Sequence, residues 1–261
     1  MNILEQLAAH AAERTAAAKK AVPEAEMRRR AEALCRPVSF EAALRRPGLS
    51  FICECKKASP SKGLIDPDFP YLRIAKEYES AGADCISVLT EPKWFLGSGK
   101  YLQEIAQAVS LPCLRKDFTV DPYMIYEAKV FGAAAVLLIV SILEEQRLKE
   151  YLEICDSLGL SALTEIHDAR EAETALRAGA RIIGVNNRNL KDFTVDTGNS
   201  RRLRELIPES VLFVSESGIK DAADAEAARK SGADAVLVGE ALMRATDKRK
   251  KLGELKGEHT A

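Results

Sequence analysis

Histidine is scarce in this chain: only His10, His167 and His259 occur in 261 residues. That supply is poor material for a histidine-based metal site or a hydrolase triad. The six cysteines, Cys35, Cys53, Cys55, Cys85, Cys113 and Cys155, form no CxxC pair. Cys53 and Cys55 form a Cys-x-Cys, but no second ligand pair with zinc spacing stands nearby, so no metal is expected. Most of the cysteines lie in apolar runs, where a free thiol packs as a small hydrophobe. A secreted disulfide framework is therefore excluded, and a reducing compartment is expected. No GxGxxG and no GxxxxGK[ST] occurs, which removes the dinucleotide fingerprint and the P-loop NTPase. The longest apolar run, AAAVLLIVSIL at 133–143, is too short to span a bilayer. The amphipathic start, MNILEQLAAHAAERTAAAKKAV, carries Glu5 and Glu13 and has no continuous apolar core, so it fits neither a signal nor a transit peptide. A cytoplasmic location is the expectation. Charge is equally unassertive, with a formal net of −1 and a pI near 6.4. No nucleic-acid footprint and no polybasic membrane surface is written here, so an anionic ligand must be held by a local pocket.

What is present is an ordinary globular composition, 47% hydrophobic and 30% charged. Eight short β-rich runs recur at 51–56, 85–90, 112–116, 134–140, 160–165, 181–186, 211–216 and 234–239. Helical patterns such as YLRIAKEYESAG and DAADAEAARKSG lie between them. Gly82, Gly132, Gly159, Gly179 and Gly232 each stand where a helix stops and a strand begins, a place that suits the left-handed C′ position. Alternating strand and helix units predict parallel strands with crossover helices. Eight such units in about 250 residues predict an α/β fold, a (β/α)8 TIM barrel. A doubly wound open sheet is the alternative, but its glycine fingerprint is missing. Residues 1–50 read as two or three helices, one entered through Ser39, forming an N-terminal helical extension packed on a barrel at 51–261. One structural domain results.

Active sites of such barrels lie at the C-terminal ends of the strands. The first strand ends in Glu54, Cys55 and Lys56, the third in Lys116, the fifth in Glu165, the sixth in Asn186 and the seventh in Glu216. Water begins at any strand end, but lysines and carboxylates on several strands together indicate a site. Side chains alternate along a strand, so Glu54 and Lys56 share one face and Cys53 and Cys55 the other. With Glu54 and Lys56 in the mouth, the cysteines point outward under the helices. His167 reads as a polar residue opening a loop. The connection KASPSKGLIDPDFP is long, and long ordered loops tend to be functional. Gly218 and Gly239 each precede an expected helix start after the seventh and eighth strands, where barrels often bind phosphate.

The stretches ECKKASPSKG, LRKDF, LTEIH, GVNNRNL, SESGI and VLVGEALM together closely resemble the indole-3-glycerol-phosphate synthase family over roughly 50–245. The helical N-terminal extension also looks like that family. The resemblance implies ring closure of 1-(2-carboxyphenylamino)-1-deoxyribulose 5-phosphate to indole-3-glycerol phosphate, with loss of carbon dioxide and water, in tryptophan biosynthesis. It implies no cofactor and no metal. It makes Lys56 and Lys116 catalytic, with the carboxylates Glu54, Glu165 and Glu216. It places substrate contacts on Asn186, Arg188 and Phe118, and phosphate contacts near Ser59, Ser217, Gly218 and Gly239. The expected partner is a small sugar-phosphate substrate, with no nucleic acid and no membrane. A monomer is expected, and association with other tryptophan-pathway enzymes stays open. Cys53 and Cys55 depart from the family's commoner alanine and aliphatic residues beside Glu54. Ring closure at a ketone needs an acid, and two lysines in one mouth are expected to lower each other's pKa towards neutrality. A Schiff-base aldolase-type barrel and a non-catalytic sugar-phosphate-binding barrel remain as alternatives.

Overall fold

The computed structural model describes residues 2–189 and 193–258; His259 and the last residue of GVNNRNL fall outside them. Three helices come first: α1 (Ile3–Ala21), α2 (Glu24–Glu32) and α3 (Phe40–Leu44). The first strand, β1 (Ser50–Cys55), is followed by a small hairpin of β2 (Ala58–Ser59) and β3 (Gly63–Leu64). Strand and helix then alternate: α4 (Tyr71–Ser80), β4 (Cys85–Leu89), α5 (Gly99–Ala108), β5 (Cys113–Lys116), α6 (Pro122–Val130), β6 (Ala135–Ile139) and α7 (Glu145–Leu158). The second half runs β7 (Ser161–Ile166), α8 (Ala169–Ala178), β8 (Ile182–Asn186), α9 (Gly198–Arg204), β9 (Leu212–Glu216), α10 (Ala222–Lys230), β10 (Ala235–Val238), α11 (Glu240–Arg244) and α12 (Lys248–Lys256). Eight strands close as a barrel in the order β1-β10-β9-β8-β7-β6-β5-β4. The eight apolar runs and the barrel strands coincide to within a residue or two. The hairpin is the addition, and it folds the long loop after β1 back on itself.

Period-two alternation divides the core into two shells. Ile52, Leu114, Leu137, Leu163, Ile182, Leu212 and Leu237 fill the barrel interior. Phe51, Cys53, Cys55, Val136, Ile183, Phe213 and Val236 fill the layer between strands and helices. The five glycines that end the helices all take left-handed backbone, with φ between +70° and +91°.

The N-terminal helices engage both ends of the barrel. At the N-terminal ends of the strands, Ser39 caps α3, accepting from Ala42 N–H at 3.1 Å. Glu41 N–H donates to Ser161 Oγ at 3.2 Å, where β7 begins, and Phe40 is fully buried. At the C-terminal ends, α1 reaches the strand–helix loops by charge. Arg14 binds Asp117 at 2.7 Å, Lys19 binds Asp121 at 2.8 Å, and His10 Nδ1 lies 3.1 Å from Glu91. Leu7 and Ala11 of α1 belong to the same apolar cluster as the barrel interior. Among the described residues no helix is long and apolar enough to cross a membrane.

Candidate active site

A cavity of about 730 Å³ opens at the C-terminal ends of the strands, and it is lined by all twelve residues expected to form the site. Parallel barrel strands end there together, so residues far apart in sequence converge. Lys116 closes β5, and its Nζ lies 2.9 Å from Glu165 Oε2 on β7 and 3.3 Å from Glu216 Oε2 on β9. Across the mouth, Lys56 Nζ donates to Glu54 Oε1 at 2.6 Å. The face assignment on β1 therefore holds. Glu54 turns inward, while Cys53 and Cys55 are fully buried in the outer layer. There Tyr78 Oη donates to the Glu54 carbonyl at 3.3 Å.

Two glycines make room for this charge. A Cβ on Gly184, in the middle of β8, would overlap Glu216 Oε1. A Cβ on Gly239 would overlap Glu54 Oε1 and lie 2.8 Å from Lys56 Nζ. Gly239 was expected from its place near a phosphate loop. Gly184 was missed, because a glycine inside an apolar strand announces only that something approaches closely.

Asn186, at the end of β8, is a connector. Its Nδ2 donates to Glu165 Oε1 at 3.2 Å, and its Oδ1 accepts from Ser217 Oγ at 2.9 Å and from Arg188 N–H at 3.0 Å. The Arg188 guanidinium donates to the Phe193 carbonyl at 3.2 Å and borders the cavity. Asn187 was not anticipated. It holds the next loop by donating to the Ser217 carbonyl at 3.1 Å and to Ser215 Oγ at 3.2 Å. Ser217 and Gly218 then take left-handed backbone in succession, with φ of +67° and +95°. Helix α10 begins only at Ala222, capped by the Asp221 side chain. Gly218 thus offers loop N–H groups and not a helix terminus, a correction to the expected helix start. Gly239 does directly precede α11. Ser59 borders the same end of the cavity, as do the cations Lys62, Lys220, Arg244 and Lys251. The opposite wall is apolar: Phe118 and Phe95 pack with ring centroids 6.1 Å apart, near Ile3 and Leu7 of α1 and Leu137 and Ile139 of β6.

Electrostatics overturn one expectation. Burial does act to lower Lys116, but Glu165, Glu216 and Glu54 outweigh it and hold its ammonium well above 10.5. Cations do not set the balance at this lysine; the carboxylates around it do. Burial acts to raise Glu165, yet Lys116 and His167 hold it below 4.5. Glu216 goes the other way. Burial, together with Glu165 and Glu54, pushes its pKa up to about 7 against the pull of Lys116. The acid near neutrality is a carboxyl group. His167, expected merely to open a loop, places Nε2 3.4 Å from Glu165 Oε1. Among the described residues no group of three His, Cys, Asp or Glu side chains could hold a metal ion.

A parallel eight-stranded barrel with two ammonium–carboxylate pairs in one mouth, an apolar wall and a cation-rimmed end defines an enzyme for a small phosphate-bearing molecule. Relatives narrow this. The profile of the indole-3-glycerol phosphate synthase family matches residues 4–255, and the chain belongs to that family, one of decarboxylating carbon–carbon lyases. It is 54% identical to the indole-3-glycerol phosphate synthase of Ruminiclostridium cellulolyticum, over 98% of this chain and 99% of the relative. It is 47% identical to that of Chlorobium chlorochromatii, over 95% and 98%. Among solved structures it resembles tryptophan synthase of Pyrococcus furiosus, with a TM-score of 0.59 at 16% identity over 80% of this chain and 97% of the other. It also resembles 3-hexulose-6-phosphate synthase of Salmonella typhimurium, with a TM-score of 0.61 at 12% identity over 81% and 100%. These two likenesses are likenesses of fold.

Proposed function

We propose that this chain closes the indole ring of indole-3-glycerol phosphate from 1-(2-carboxyphenylamino)-1-deoxyribulose 5-phosphate, without metal or cofactor. The observation that carries the reading is Lys116 Nζ held between Glu165 and Glu216 and facing the Glu54–Lys56 pair across one cavity. The reaction has two parts, and each needs an acid. In the first, the ring carbon bearing the carboxylate bonds to the ketone carbon. The ketone oxygen takes a proton, and carbon dioxide leaves while its bonding pair restores the aromatic ring. Lys116, charged through the physiological range, is the donor to that oxygen. In the second, the new hydroxyl leaves as water and the neighbouring carbon loses a proton. The Glu54–Lys56 pair supplies an acid and a carboxylate for this work.

The apolar wall with Phe118 receives the aryl ring, and Arg188 and Asn186 orient the polar atoms. The phosphate lies against Ser59 and the backbone at Ser217, Gly218 and Gly239, where N–H groups and the nearby cations offset its charge. Residues 1–50 act as part of one unit with the barrel.

The test is turnover in the presence of a chelator. Substrate should give rising indole fluorescence and equimolar carbon dioxide, and Lys116→Met should lower kcat by about 10²–10⁴-fold, as loss of a proton donor does. Absence of either product, or activity that returns only with a divalent ion, would defeat the reading.

A further inference from the structure

The ring-closing chemistry leaves one imidazole without a task. His167 follows β7 directly, and its ring reaches back to Glu165 on that strand. Nε2 is buried, makes no hydrogen bond, and lies 3.4 Å from Glu165 Oε1. Nδ1 lies 3.2 Å from Glu171 Oε2 in the first turn of α8. Glu171 is itself fixed. Its carboxylate accepts from the His167 backbone N–H at 2.7 Å, and its own N–H donates to Asp168 Oδ1 at 2.9 Å. From α9, Asn199 Nδ2 donates to the His167 carbonyl at 3.0 Å. The ring is thus seated by a helix terminus on one side and aimed at a carboxylate of the site on the other.

We propose that His167 is a positioning residue for this reaction: seated by Glu171, it braces Glu165 Oε1 so that Oε2 faces Lys116. Glu165 has few other supports. Among the described residues, Oε1 accepts only from Asn186 at 3.2 Å, and Oε2 only from Lys116 at 2.9 Å. An imidazolium can donate to both carboxylates at once, whereas a neutral ring presents a lone pair to one of them. Burial works against that charge, but Glu171, Glu165 and Glu216 outweigh it and raise the ring's pKa above 6.5. The groups facing the ring are Glu171 on α8, Glu165 on β7 and Glu216 on β9, with Lys116 on β5 beyond Glu165. Without the imidazolium, Glu165 loses one of the charges that keep it ionised and competes less well with Glu216 for Lys116.

The role rests on the ring-closing reading, and the two can fail separately. Steady-state kinetics over pH 3.5–9 on wild type, His167→Gln and Glu171→Gln decide it. Glutamine keeps a polar donor but no charge. In His167→Gln, kcat at pH 7 should fall about tenfold through lost alignment of Glu165 on Lys116 and not through lost charge, since Glu165 stays ionised at that pH. KM should stay within about twofold, since ground-state binding is untouched. The acid limb of kcat, where Glu165 must ionise, should move to higher pH. Glu171→Gln should move the same limb by less. A purely structural part for the imidazole would lower Tm and leave both profiles superimposable on wild type, and that result overturns the proposal. Should His167→Gln not fold, the Glu171→Gln profile decides alone, an unshifted limb counting against it. A wild type without turnover would instead sink the ring-closing reading.

Discussion

Glu216 offers a test in which stability and catalysis move in opposite directions. An ordinary glutamate titrates near 4.5, and this pocket raises Glu216 to about 7. Between those values the native state holds a proton that the unfolded chain has released. Stability therefore falls as pH rises through the window and has its full value only below it. At about 1.4 kcal/mol for each pH unit, the effect has a ceiling of about 3 kcal/mol. Glu216→Gln abolishes this titration while keeping the side-chain shape. The difference in unfolding free energy between variant and wild type should then swing by about 2–3 kcal/mol in favour of the variant between pH 4.5 and 8. His167 titrates in both proteins and largely cancels. Glu165 lies below the window, since its contribution is lost only as pH falls under 4.5. Turnover should meanwhile drop by about 10²–10⁴-fold. Urea unfolding followed by circular dichroism at several pH values measures the first quantity. A stability difference that stays flat from pH 5 to 8 would show that Glu216 is not held neutral by its pocket, and the electrostatic account of the site would fall.

Gly184→Ala should lose at least about tenfold in kcat, because the new methyl occupies the place of Glu216 Oε1 and overpacking of this kind also costs about 1–3 kcal/mol. Kinetics matching wild type would show that the carboxylate has somewhere else to go. Cys53 and Cys55 should resist thiol reagents in the native protein, since burial raises both thiols above their usual range. Replacing both with Ala should cost on the order of 1 kcal/mol or more and leave kcat within a few-fold; inactivation by a thiol reagent with protection by substrate would reverse the face assignment on β1.

The barrel could be read from the sequence because its strands are buried on both faces. Such strands appear as unbroken apolar runs, and the glycines after the helices mark their starts. The site was half legible for a related reason. Lys116, Glu165, Asn186 and Glu216 interrupt apolar runs at one end, and closure of a parallel barrel brings those ends together whatever their separation in sequence. What the sequence did not disclose is distance. Counting lysines suggested mutual depression of their pKa values, whereas the folded mouth puts Lys116 beside two carboxylates and reverses the sign. His167 looked like a loop residue because nothing in LTEIHDAREAE says that the ring turns back over its own strand.

The same limit conceals how the N-terminal helix enters the site. Arg14 and Asp117 lie 103 residues apart, yet their bidentate pair, at 3.3 and 2.7 Å, pins the residue next to Lys116. Asp117 is almost fully buried and also accepts from Thr90 at 2.6 Å and from the Phe118 N–H at 2.8 Å. Arg115 also reaches Asp117, at 3.4 Å, so removal of α1 would leave this buried carboxylate with one of its two cations, at a cost. The end of β5 is thus fixed from above by charge. The carboxylates around Lys116 are free to crowd one ammonium because the chain that carries it cannot move aside to relieve them. On the proposed reading, the helical extension serves the chemistry by holding a strand end in place, and Ile3 and Leu7 line the cavity wall.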